Sequence, residues 1–192
     1  MYSYAEYEAL MKSKLSAHRF YHSQGVAHFA SALAMANGLP YEKCLIAGIL
    51  HDCAKPFPEN EIAAHLKKLN IPFDADQEQI PGILHANYGE YLARTEYEIE
   101  DREILNAILY HSTGRPAMNF LEKAIFLGDF LEVGRNHICK PSLQELRKLA
   151  FVDIDRCVYQ VLKCTCDYIS EQGGRNAEMQ LAALRYYSQY EQ

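Results

Sequence analysis

The sequence lacks the features that would place it in a membrane or in a secretory pathway. It contains no tryptophan and no uninterrupted apolar run of about 18 residues, the length that a membrane-spanning helix needs. The first eight residues lack a basic region followed by an apolar one, so we expect no signal peptide. Six cysteines occur without a Cys-x-x-Cys pair, which indicates reduced thiols. We therefore predict a cytoplasmic protein with no membrane partner.

Basic residues are also in deficit. The chain has 19 Lys and Arg against 25 Asp and Glu, giving a formal net charge of −6. Binding along a nucleic-acid backbone requires a basic face. We therefore predict no nucleic-acid partner, and a polyanionic ligand would have to be held by a few local cations.

Strand patterns are missing as well, and helical spacing runs through the chain. Capping boxes, in which a Ser or Asn is followed three residues later by Glu, begin at Ser3, Asn119 and Ser142. The predicted helices are 3–15, one ending at 37, 41–55, 59–69, 81–97, 101–110, 119–135, one from 142, 153–171 and one ending near 190. We read 70–80 as a loop. The prediction is an all-α, single-domain helical bundle over residues 1–192, with C-terminal helices at 153–190 packed on a core at 15–160.

Residues 47–56 form the most informative stretch. An apolar helix ends in the neighbouring pair His51 and Asp52, and Lys55 follows three residues later. Such a cluster is costly to bury unless it binds something. Consecutive helical residues point about 100° apart, so His51 and Asp52 would address two neighbouring points, and the two Asp52 oxygens can bridge two ions. The alternative is a helix end whose His and Asp are hydrogen-bonded and solvated.

Further metal donors lie far apart along the chain. Four imidazoles and two carboxylates sit in apolar helices or at helix ends: His22, His51, Asp52, His85, His111 and Asp129. This set suits one or two first-row transition metals. The donors can act together only if five helices converge. Asp129 has a competing explanation, an ion pair with Arg135 or Lys123 at the solvent edge.

These residues resemble the motifs of the HD-domain metal-dependent phosphohydrolases. More narrowly, the chain is similar to the YqeK family, which hydrolyses diadenosine tetraphosphate symmetrically to two ADP. The resemblance lies in Arg19-Phe-Tyr-His22, His51-Asp52-Cys-Ala-Lys55, Leu84-His85, His111-Ser-Thr-Gly-Arg115 and Asp129-Phe-Leu-Glu132-Val-Gly-Arg135. The chain departs from the family pattern at Ser112, at Ala86-Asn87-Tyr88, and at Gly128 and Phe130.

The resemblance implies a helical HD fold with two transition-metal ions, iron first, with manganese, cobalt or nickel as alternatives. One ion would be held by His22, His51, Asp52 and Asp129. The other would be held by Asp52, His85 and His111. Asp52, Lys55, His85 and His111 would be the catalytic residues.

Candidate substrate-binding residues supply positive charge or hydrogen-bond donors for a small nucleotide. Lys55 offers a point charge, and Arg115 and Arg135 offer planar forks for phosphate. Thr113 and the Gly114 backbone can donate hydrogen bonds. Arg19 would bind phosphate or a carboxylate, and Glu132 would fix Arg135 or bind a ribose. For His18, His28, His65 and His137 we expect surface or ordinary core positions, with His137 the one that could reach substrate.

Two other functions remain open from the sequence. The first is an HD phosphohydrolase for another nucleotide, such as a mononucleotide phosphatase or a cyclic-nucleotide phosphodiesterase. The second is a non-catalytic nucleotide-sensing module. The C-terminal run 184–190 would either pack on the bundle or form a homodimer contact.

Overall fold

The computed structural model describes residues 3–73, 75–136 and 139–191. Over these ranges the chain is helical and contains no strand, which confirms the all-α class. No helix in the described ranges is long and apolar enough to cross a membrane. The helices are α1 (Tyr4–Lys14), α2 (Ala17–Ala36), α3 (Glu42–Leu50), α4 (Glu59–Lys68), α5 (Ala75–Glu78), α6 (Leu84–Thr95), α7 (Arg102–Tyr110), α8 (Phe120–Leu131), α9 (Leu143–Val152), α10 (Ile154–Glu171) and α11 (Glu178–Tyr187), with 3-10 turns at Pro81–Ile83 and Ser188–Tyr190.

The three predicted capping boxes start α1, α8 and α9. In each, the cap side chain accepts a hydrogen bond from the backbone N–H three residues on, and the Glu there accepts one from the cap backbone. These bonds satisfy donors that a helix N-terminus otherwise leaves open. The sequence pattern therefore located these helix starts correctly.

Several predicted boundaries are wrong. The helix that leads to His51 ends at Leu50 rather than continuing to residue 55, since the N–H groups of Cys53 and Lys55 donate to carbonyls three residues earlier. The helix carrying Asp129 ends at Leu131 rather than continuing to Arg135, because Glu132 leaves the helical conformation (φ −53°, ψ 159°). The turn that follows is stabilised by a 2.5 Å hydrogen bond from the Gly134 N–H to the Glu132 carboxylate. The predicted loop at 70–80 contains the short helix α5.

Helix α2 lies at the centre of the bundle and packs against both α3 and α8. The approach to α3 is close, since a Cβ added at Gly48 would lie 2.4 Å from the Ala27 Cα. On the other side, a Cβ at Gly128 would lie 3.1 Å from the Val26 carbonyl oxygen. Glycine on each neighbour thus lets three helices meet, and their functional residues meet with them.

The C-terminal run packs on the bundle. Tyr187 is buried, and its hydroxyl accepts a hydrogen bond of 3.0 Å from the Met118 N–H. Helix α11 packs against α10. The alternative for this run, a homodimer contact, stays a prediction.

Candidate metal centre

Six predicted donors converge on one site. His22 comes from α2, His85 from the first turn of α6 and Asp129 from the last turn of α8. His51 and His111 each follow the last residue of a helix, α3 and α7 respectively. His51 is fully buried, whereas the other donors line a cavity of about 290 Å³. The predicted convergence of five helices is therefore what the structure contains.

The donor atoms form two groups that share His51. In each group the potential ligand atoms lie within 4.8 Å of one another: His22, His51 and Asp129 in the first, and His51, Asp52 and His111 in the second. His85 extends the second group, because its Nε2 lies 3.3 Å from Asp52 Oδ1 and 3.0 Å from His111 Nε2. Asp52 Oδ2 lies 3.8 Å from His51 Nε2, so the two Asp52 oxygens face different histidines.

Three histidines are held in one tautomer by the backbone. The Nδ1 atoms of His51, His85 and His111 each lie 2.7 Å from the carbonyl oxygen three residues earlier. A carbonyl can only accept, so each Nδ1 carries a proton, and in the neutral form of each imidazole Nε2 is the atom with a lone pair for the centre. Ligand histidines are commonly oriented in this way by a second hydrogen bond.

The geometry fits a bound cation. The His51 Nε2 is buried without a hydrogen-bond partner among the described residues. The Nε2 atoms of His85 and His111 face each other across 3.0 Å. The Arg135 guanidinium lies 2.5 Å from Asp129 Oδ1 and 3.3 Å from His22 Nε2, so a positive group stands at two ligand atoms of the first group. Imidazole and carboxylate together suit a divalent transition metal.

The protonation states of His51, His85 and Asp52 also favour metal binding. Burial lowers the pKa of His51 to about 4 and lowers that of His85 below its usual value, so both imidazoles are neutral near pH 7. Burial opposes ionisation of Asp52, but its contacts with His51, His111 and His85 hold its pKa well below the usual range. At His22, burial is outweighed by the hydrogen bond and charge of Asp129, which raise the pKa.

Glu132 and Arg135 surround His22 and Asp129. The Glu132 carboxylate is buried and lies 3.2 Å from His22 Nδ1, so it orients His22 rather than Arg135. Arg135 pairs with Asp129, as the competing explanation for that carboxylate required, yet Asp129 also contacts His22 at 3.0 Å. Lys123 pairs instead with Asp155. Asp129 therefore belongs to the donor cluster as well as to an ion pair.

Three cations line the cavity of an acidic protein. They are Arg19, Lys55 and Arg135. Arg19 lies 3.5 Å from Asp52 Oδ2, so its guanidinium is partly neutralised. Lys55 forms no ion pair with any residue in the described ranges, which leaves its charge available to an anionic ligand.

The residues after His111 are placed differently from the metal donors. Arg115 turns away, because its guanidinium forms a bidentate pair with the buried Glu122 at 2.8–3.1 Å. It also donates to the Pro116 carbonyl oxygen. Thr113 is buried and donates to the Gly114 carbonyl oxygen. The structure thus does not bring Arg115, Thr113 or Gly114 into the metal cavity.

Two residues of the site were missed by the sequence analysis. The Ser112 hydroxyl lies 3.0 Å from His111 Nε2 and 3.2 Å from His85 Nε2. His18 is exposed and lines the cavity. Its spacing of four residues from His22 on one helix was a usable signal. His28 is exposed, His65 stacks on Tyr88, and His137 lies outside the described residues.

Comparison with known proteins identifies the family of the chain. The HD domain model matches residues 19–157. Two curated relatives are named symmetrical bis(5'-nucleosyl)-tetraphosphatase. The one from Bacillus subtilis is 35% identical over 85% of this chain and 86% of its own length. The one from Halalkalibacterium halodurans is 37% identical over 83% of each.

A solved structure extends the agreement to the whole fold. It is a crystal structure from Clostridium acetobutylicum, described as a predicted HD superfamily hydrolase involved in NAD metabolism. It superposes with a TM-score of 0.91 over 98% of both chains at 32% identity. The chain belongs to the HD-domain family and, within it, to the family of the symmetrical bis(5'-nucleosyl)-tetraphosphatases.

Proposed function

We propose that this protein is a metal-dependent hydrolase that cleaves diadenosine tetraphosphate symmetrically into two ADP. The observation that carries the proposal is the convergence of four histidines on two carboxylates beside three cations. The names of relatives that match more than four-fifths of the chain support the same activity. In the reaction, water adds to one inner phosphorus, and the oxygen that bridges the two middle phosphates leaves with the second ADP.

The residues present would hold two divalent ions, for which we propose iron. His22, His51, Asp52 and Asp129 would bind one, and Asp52, His85 and His111 the other. When bound, such ions lower the pKa of a coordinated water and offset negative charge on phosphate oxygens. Manganese, cobalt and nickel are alternatives because the same donor types accept them.

The protein's own groups bind and orient the polyphosphate. Lys55 supplies an ammonium that no described carboxylate neutralises, and Arg19 and Arg135 supply two guanidinium groups at the cavity wall. Glu132 holds His22 in place through Nδ1. Helix packing around the buried His51 excludes water from beneath the centre, which strengthens these electrostatic contacts.

The test is to incubate anaerobically purified, iron-loaded protein with diadenosine tetraphosphate and to separate the products by anion-exchange chromatography. ADP as the sole product supports the proposal. AMP and ATP as products would show that the protein is a hydrolase that cleaves a different bond, so the cleavage would not be symmetrical. If metal is bound and nothing is cleaved, the same assay with mononucleotides and cyclic nucleotides decides between another substrate and a sensing module.

Asp52→Asn provides the matched variant, since it removes the shared charge with little change of shape. We expect at least a hundredfold loss of turnover together with loss of bound metal, because Asp52 faces three histidines. Circular dichroism checks that the variant is folded. A folded variant that retains nucleotide binding and shows the same low turnover as the unsubstituted protein would favour the sensing module.

A further inference from the structure

A second cavity, of about 250 Å³, adjoins the metal centre. Ser112 lines both cavities, and its hydroxyl lies 3.0 Å from His111 Nε2. Residues from four parts of the chain line the second cavity, among them Gln77, Asn87, Leu109 and Met179. A ligand in this space would therefore be next to the metal donors without occupying them.

The walls combine apolar surface with two side-chain amides. Ile83, Leu109 and Met179 supply apolar contact, and Gln77 and Asn87 supply the amides. The Gln77 Nε2 donates to Asn87 Oδ1 over a long 3.3 Å, which brings the two groups together on one side. A side-chain amide carries both a donor and an acceptor, the pair that matches one edge of a purine base. This is the chemistry of a base-binding pocket rather than of a phosphate site.

The size of the cavity limits what it can hold. At about 250 Å³ it is smaller than pockets that enclose drug-sized ligands, roughly 300–1,000 Å³. One nucleoside is the right scale, and a whole dinucleotide is too large. The cations Arg19, Lys55 and Arg135 line the metal cavity and not the second one, so phosphates belong in the metal cavity.

Two distant segments are tied together where they line this cavity. Asp76, beside Gln77, forms a 2.5 Å ion pair with Arg175. The Asp76 carboxylate also accepts a 2.8 Å hydrogen bond from the Glu178 N–H, beside Met179. These bonds fix the amide wall relative to the apolar wall, so the pocket is formed before a ligand arrives.

We propose that the second cavity binds one nucleoside of the substrate and that Gln77 and Asn87 contact its base. The inference rests on the proposed function and deepens it. A nucleoside fixed beside Ser112 sets how far its phosphate chain reaches over the donors. The cavity then selects the second phosphorus for attack, which is what symmetrical cleavage requires.

The test fills the cavity from its rim. Met179→Trp adds bulk at a cavity residue that is 43% exposed, and Met35→Trp makes the same change at an exposed methionine outside the cavity. Equilibrium dialysis with the metal-loaded protein compares ADP with methylenediphosphonate, which has the two phosphorus groups without the nucleoside. We expect Met179→Trp to raise the Kd of ADP at least tenfold and that of methylenediphosphonate less than twofold. Met35→Trp should change neither by more than twofold.

Unchanged ADP binding in folded Met179→Trp would overturn the inference, as would failure of the unsubstituted protein to bind ADP. If Met179→Trp does not fold, Ile83→Trp fills the same cavity from another wall and replaces it. Asn87→Leu tests the base contact, with an expected change of at least fivefold in the ratio of ADP to GDP affinity. An unchanged ratio of ADP to GDP affinity would show that Asn87 does not contact the base.

The inference and the proposed function fail separately. If the unsubstituted protein forms ADP from diadenosine tetraphosphate while Met179→Trp binds ADP normally, the activity stands and the cavity assignment is wrong. If ADP binding depends on Met179 but the products are not ADP, the cavity stands and the symmetrical cleavage is wrong.

Discussion

The histidines of the centre are oriented by the helix ends that carry them. Gly48 and Ile108 lie among the last four residues of α3 and α7. The carbonyl oxygens at the last four positions of a helix receive no hydrogen bond from an N–H of the same helix. The Nδ1–H of His51 and of His111 donates to these carbonyls. A histidine placed directly after a helix is thus fixed in the tautomer that leaves Nε2 for a metal.

His22 lies inside α2 and has a different orienting group, the buried carboxylate of Glu132. We predict that Glu132→Gln lowers metal affinity about tenfold or more, because loss of the negative charge weakens the hold on His22 and lowers its basicity. Metal titration followed by calorimetry measures the effect.

Glu100→Gln is the control, since Glu100 is exposed. Both variants should unfold within a few degrees of the unsubstituted protein. Metal affinity equal in the two variants would show that Glu132 does not position His22.

At the scale of the helices, the site depends on how closely α2 and α3 approach. We predict that Gly48→Ala destabilises the protein by about 1–3 kcal/mol, because the new methyl group would lie 2.4 Å from the Ala27 Cα and must push the helices apart. In a helix without a steric clash, alanine is more stabilising than glycine by about 1 kcal/mol. The direction in which the free energy of unfolding changes therefore shows whether the contact with Ala27 is strained. Urea unfolding gives the free energy.

Gly82→Ala is the matched control, since a Cβ at Gly82 meets no atom within 4 Å. The control should change the free energy of unfolding by less than about 0.5 kcal/mol. A stabilised Gly48→Ala protein would mean that the contact between α2 and α3 yields easily and does not set the position of His51.

The sequence predicted helix starts better than helix ends. Ser3, Asn119 and Ser142 start their helices by forming hydrogen bonds with the residue three positions later. Both residues of such a pair can be recognised in the sequence. The end of α8 at Leu131 is accompanied by contacts of Glu132 with Gly134 and with His22, and the second is a tertiary contact 110 residues away in sequence. Such a contact leaves no local pattern.

At the scale of the whole molecule, the convergence of six side chains was predictable and their surroundings were not. Residue chemistry indicated that His22, His51, Asp52, His85, His111 and Asp129 converge, and the family resemblance supplied their division between two ions. Neither residue chemistry nor the resemblance showed that Glu122 forms an ion pair with the Arg115 guanidinium, or that Ser112 lines two cavities. Those facts depend on how α7 and α8 pack.

The buried centre also couples folding to pH. Burial lowers the pKa of His51 to about 4 in the folded chain, against about 6.5 when unfolded. Between these values the unfolded chain binds a proton that the folded chain does not, so His51 adds stability above pH 6.5 that is lost as pH falls towards 4. His22 has the opposite sign, because its raised pKa adds stability at low pH that is lost as pH rises.

We therefore predict that the metal-free protein loses about 3 kcal/mol of stability through His51 between pH 6.5 and 4. The measurement is urea unfolding in EDTA across this range for the unsubstituted protein and for His51→Gln, which keeps a polar side chain but does not titrate. Subtracting the two curves removes contributions that the pair share, including that of His22. The difference should shrink as pH falls, because only the unsubstituted protein loses the His51 contribution. A difference that stays constant with pH would show that His51 is protonated equally in the folded and unfolded chains, and hence that burial does not keep it neutral for a metal.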